Sequence, residues 1–83
     1  MLGKRKILNE AEIKRLTPAM QIILGHLAKR KNERTIILQS LIPGYIKQRQ
    51  ETLKILKYME QEGMVEGEKG EYGWVWKLTD PIE

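Results

Sequence analysis

Apolar residues recur along this chain with two different spacings, and the change from one to the other sets out its elements. Met20, Ile23, Leu24, Leu27 and Ala28 fall at i, i+3, i+4, i+7 and i+8, one face of a helix. Thr17 stands where an N-cap belongs, and Pro18 at the first helical position, where its missing N–H costs nothing. Lys29, Arg30 and Lys31 fill the last turn, where cations suit the negative end of the helix dipole, and Asn32 leaves the helix. Upstream, Asn9 followed by Glu12 has the form of a capping box and predicts a separate short helix over 10–16.

Downstream, the stretch TIIL at 35–38 is β-branched and short, which predicts one small strand. Gln39 or Ser40 can cap a helix of barely two turns, with Leu41, Ile42 and Tyr45 on its buried side and Pro43 within its first turn. A tight polar turn of Ile46, Lys47 and Gln48 leads to a helix over 49–62, with Thr52, Ile55, Leu56 and Met59 on one face. Gly63 sits where a left-handed C-cap residue belongs. The period then falls to two. Residues 64–68 and 72–78 read as strands joined by Lys69, Gly70 and Glu71, with Trp74, Trp76 and Leu78 on one face and Val75 and Lys77 on the other. This order predicts an α+β domain, a winged helix-turn-helix: a three-helix core, a small antiparallel sheet with a two-stranded wing, and an extra short N-terminal helix.

Composition narrows the chemistry. With 83 residues there is room for one small core, and 41% hydrophobic residues make the chain globular. There is no cysteine and a single histidine, His26, so thiolate chemistry is excluded and a zinc site or catalytic dyad has too few members. His26 lies off the apolar face of its helix and is expected at the surface without a role. No paired carboxylates over an apolar pocket, no phosphate-cradling glycine loop and no nucleophile–base pair are visible, so no enzyme, cofactor, metal or small-molecule ligand is expected. No apolar run is long enough to cross a membrane, and no apolar stretch follows Lys4, Arg5 and Lys6, so a cytoplasmic protein is expected. The net charge is +4 and unevenly spread: +6 over 1–34, +1 over 35–62 and −3 over 63–83. Such basicity favours a polyanionic partner.

The segments LTPAMQIILGHLA, LQSLIPGYIKQRQETLKILKYMEQEGMVEG and YGWVWKLT together resemble the winged helix-turn-helix domain of small prokaryotic and archaeal transcriptional regulators, of the multiple-antibiotic-resistance regulator kind. Leu56, Met59, Gly63 and Val65, with Leu78, Thr79 and Asp80 closing the second wing strand, carry the likeness, which covers about 16–80. The resemblance implies duplex-DNA binding, with helix 49–62 in the major groove and the hairpin tip near the minor groove or backbone. It also implies a homodimer on a palindromic site, and regulators of archaea, their plasmids and their viruses are similar. Larger regulators dimerise through long C-terminal helices. With this sequence ending at Glu83, a dimer is expected to use the N-terminal segment, the first long helix or the wing. Residues 1–16 are thus a basic arm, short helix and candidate dimerisation segment, and 17–83 the winged helix domain. The wing is acidic, with Glu66, Glu68 and Glu71 against Lys69.

If 52, 55, 56 and 59 face the core, then 50, 54, 57 and 61 face away. A helix entering the major groove needs long donors in its first turns. Gln48, Arg49, Gln50 and Lys54 are therefore the candidates for base edges, since Arg matches guanine N7 and O6 and Gln matches adenine N6 and N7. Lys47, Lys57, Lys69 and Tyr72 are candidates for the DNA backbone, and Lys54 also suits a phosphate. Glu51 can pair with Lys54 at i+3 or accept from cytosine N4. Lys4, Arg5 and Lys6 suit either a minor-groove arm or a solvated terminus, and Lys29, Arg30, Lys31 and Arg34 either the DNA backbone or the helix dipole alone. Trp74 and Trp76 are expected in the core. Two alternatives stand beside a DNA-binding regulator: a winged helix used to bind another protein, and a component of a plasmid or viral replication initiator.

Overall fold

The computed structural model describes residues 7–44, 46 and 48–79, with the backbone alone of Gln48 and Arg49. The arm at Lys4, Arg5 and Lys6, together with Tyr45, Lys47 and Asp80, lies outside the described residues, as do the side chains of Gln48 and Arg49. Three helices and a three-stranded antiparallel sheet follow one another as α1 (Glu10–Lys29), β1 (Glu33–Arg34), α2 (Thr35–Leu41), α3 (Gln48–Gln61), β2 (Val65–Gly70) and β3 (Gly73–Leu78). The strands lie in the order β1-β3-β2. This is an α+β arrangement compatible with a winged helix.

The capping box forms as expected: Asn9 Oδ1 accepts from the Glu12 N–H at 2.8 Å, and Glu12 Oε1 accepts from the Asn9 N–H at 3.1 Å. The helix it starts does not stop at Thr17. The separate N-terminal helix is not formed, and α1 runs 20 residues with Pro18 inside it. A helix-interior proline removes one backbone hydrogen bond and costs about 3 kcal/mol. Burial offsets this, because Leu16, Ala19, Met20, Ile23 and Leu27 form one continuous stripe across the proline. Thr17 does not cap; its hydroxyl donates back to the Ile13 carbonyl at 2.6 Å. Of the expected stripe, Leu24 is half-buried and Ala28 exposed.

The second departure is at TIIL, which opens α2, while the strand is the pair before it, Glu33–Arg34. A side chain 41 residues away decides the matter: Thr35 Oγ1 accepts from the Trp76 indole N–H at 2.8 Å and donates to the Trp74 carbonyl at 3.1 Å. Thr35 thereby ends β1 on the sheet and turns the chain into a helix that buries Leu38 completely. Tertiary packing overrides β-propensity here. The short helix expected after Gln39 or Ser40 is thus displaced: α2 ends at Leu41, which is exposed, and Pro43 lies beyond it. Ile42 and Ile46 are buried in the connection, so the expected turn residue Ile46 is a core anchor and Gln48 is already helical.

Helix α3 matches its expected face, with Thr52, Ile55, Leu56 and Met59 all buried. It ends as a glycine cap should. Gly63 has φ +79, its N–H donates to the Glu60 carbonyl at 3.0 Å, and the Met64 N–H donates to the Met59 carbonyl at 2.9 Å. The hairpin turn is one register further on than expected, at Glu71 and Tyr72 between Gly70 and Gly73. Trp76 is fully buried, Trp74 and Leu78 half so, and the two indoles stack with centroids 5.8 Å apart. A Cβ on Gly67, which pairs with Trp76, would lie 2.5 Å from that ring, so only glycine lets the indole lie against β2.

Candidate nucleic-acid interface

Gln50 and Lys54 on α3 are exposed, and two ion pairs fix the position of its first turns. Glu51 does not pair with Lys54; its carboxylate takes the Arg15 guanidinium at 2.7 Å, and Lys54 Nζ reaches Glu12 Oε2 at 3.0 Å. Glu12 and Arg15 on α1 thus meet Lys54 and Glu51 on α3 with opposite polarity. Solvent screens both pairs, so neither adds much to stability. Their effect is positional: they hold the first two turns of α3 beside α1. The Glu12 carboxyl is held below the usual carboxylate range, first by the Asn9 N–H and then by Lys54. Gln50 is exposed, and Lys54 stays 42% exposed despite its partner.

At the other flank α3 is fastened to the hairpin. Lys57 Nζ lies 4.3 Å from the Trp74 ring centroid and 3.9 Å from a Glu60 carboxylate oxygen. The other Glu60 oxygen accepts from the Gly67 N–H at 3.3 Å. These contacts give the relative direction of helix and hairpin. Glu60 touches β2 at Gly67, whereas Lys57, one turn earlier, sits over Trp74, whose partner Lys69 is close to the turn. Moving toward the start of α3 therefore moves toward the hairpin tip. Gln50, Lys54 and Lys69 are exposed, and Tyr72 at the turn is 80% exposed. Four of the eight candidate contacts are thus exposed. Lys57 is partly drawn off to Trp74, and Lys47 and the side chains of Gln48 and Arg49 lie outside the described residues.

The sequence reading passed over Leu53, which is 43% exposed on α3 between Gln50 and Lys57. It also missed a role for His26. That side chain is half-buried, its Nε2 is 2.7 Å from Glu33 Oε2, and the pair joins the end of α1 to β1. The Glu33 carboxyl is lowered, chiefly by this hydrogen bond. Nothing in the local sequence signals a partner seven residues away across a turn. Lys29, Arg30, Lys31 and Arg34 are exposed, and among the described residues none forms an ion pair. Arg30 and Lys31 border a shallow cleft with Leu27, Asn32, Lys77 and Leu78, at the base of the hairpin and away from its tip. Among the described residues no cluster of three or more metal-ligating side chains occurs, and no helix is long and apolar enough to cross a membrane.

No protein-family model, curated protein or solved structure matches this chain.

Proposed function

We propose that the chain is a sequence-specific regulator of transcription that binds double-stranded DNA as a homodimer on a palindromic site, with α3 in the major groove, in the manner of a winged helix. The observation that supports this reading is that Gln50 and Lys54 on α3 and Lys69 and Tyr72 at the hairpin are all exposed, as a groove-reading helix and a backbone-touching wing require. Arg49 and Gln50 read bases. Lys47, Lys54, Lys57, Lys69 and Tyr72 position the helix on phosphates.

Titration against a selected site and against random duplex tests it. Arg49→Ala and Gln50→Ala lower affinity for the site by roughly 1–3 kcal/mol each and barely change random binding. Lys54→Ala and Lys57→Ala weaken both alike. For Z phosphate contacts, log affinity falls with log salt at a slope near −0.9Z. Unchanged binding in all four variants removes α3 from the interface. A second reading, a surface that docks another protein, is favoured by Leu53 and by the engagement of both Lys54 and Lys57 with groups of the chain itself. It takes the lead if no duplex binds even at low salt.

A further inference from the structure

The helices cover one face of the sheet, that of Trp74 and Trp76; the opposite face bears no described element. Its composition follows from the strand register. Arg34 and Glu68 are both partners of Val75, so these three side chains share the outer face in one row across the sheet. β3 lies between β1 and β2, so the row reads cation, apolar, anion, at about 4.8 Å per step. Arg34 and Glu68 are exposed and form no ion pair among the described residues, while Val75 is half-buried. Two residues along the strands, Glu66 and Lys77 face each other at 3.7 Å and neutralise one another.

We infer that this outer sheet face pairs with the same face of a second copy of the chain, with Val75 on the two-fold axis and Arg34 of each copy against Glu68 of the other. A two-fold axis running along the strands exchanges the two edges of the sheet, which lays each cation over an anion, as an isologous contact demands. Lys77 would meet its counterpart near the axis, and its own Glu66 holds its charge in check. The inference names an interface for the homodimer proposed above and rests on that part of the reading.

The same operation has a geometric consequence. It keeps both hairpin tips at one end of the pair and places the two α3 helices outermost. Sheets stack about 10 Å apart, and each helix adds about 10 Å on its side, so the two α3 axes lie about 30 Å apart. Half-sites one turn of duplex apart are separated by about 34 Å. Three short strands make a small interface, so a concentration-dependent equilibrium is expected rather than a permanent dimer.

Charge exchange tests the pairing in the full chain, by sedimentation equilibrium at low salt without DNA. Wild type associates to a dimer. Arg34→Glu and Glu68→Arg each weaken association on the order of a hundredfold, because two attractive contacts become two repulsive ones. An equimolar mixture of the two variants recovers a dimer, and so does the double variant. Both positions are exposed, and matching thermal melts confirm that the variants fold. A wild type that stays monomeric at every concentration overturns the inference, as do single variants that dimerise normally or a mixture that stays monomeric. Any of those results leaves the α3 reading standing, since DNA titration decides that separately.

Discussion

Gly67 and Thr35 show how much can rest on one side chain. Both serve Trp76, the largest buried residue, one by having no Cβ where the indole lies and the other by accepting its N–H. Gly67→Ala places a methyl where ring atoms already are, and β2 must shift. The expected loss is about 1–3 kcal/mol, read as a lower urea midpoint with an unchanged m-value. Thr35→Val keeps the shape but leaves the indole N–H unpaired and the Trp74 carbonyl without its donor, for a similar loss. Glu33 contributes in a pH-dependent way. Its carboxyl is lowered in the folded chain, chiefly by the His26 hydrogen bond. The stability it adds is therefore complete above the unfolded value of about 4.3 and is lost as pH falls through the lower folded value. Thermal melts of wild type and Glu33→Gln should differ at neutral pH and converge only as pH falls through the lowered folded value. A gap that persists unchanged in acid would mean that ionisation is not its source.

At the scale of elements, α3 and the hairpin were legible in the sequence because their signals are local: an apolar stripe, a glycine with positive φ, alternation around two tryptophans. The path through Pro18 and the β1–α2 boundary were not. TIIL has no period that separates strand from helix, and its fate lies with a tryptophan 41 residues on. The candidate site divides likewise. The outward position of Gln50 and Lys54 follows from helical spacing, whereas the ion pairs that hold them join residues 36 and 42 positions apart. Those pairs bear on binding. Glu12→Gln keeps the capping box, which accepts either residue, and removes the charge that holds Lys54. If Lys54 meets a phosphate, this variant binds random duplex more tightly and steepens the salt slope by about 1. Equal affinity and slope would place Lys54 outside the contact.

The whole molecule is electrically divided. Of the described cations without a salt bridge, Lys29, Arg30, Lys31 and Arg34 stand at the end of α1 and on β1 and Lys14 and Lys69 stand apart from them, while β2 and the turn carry Glu66, Glu68 and Glu71. Net charge alone therefore says little about where a polyanion settles, and the orientation of α3 relative to the hairpin says more. That orientation depends on Glu60, whose carboxylate takes the Gly67 N–H. β2 is an outer strand, and its main-chain donors would otherwise invite a strand from a neighbouring molecule. By occupying one of them from the helix side, Glu60 guards the chain against open-ended polymerisation. Glu60→Ala frees that donor, and an earlier rise in light scattering on warming than in wild type is the expected outcome.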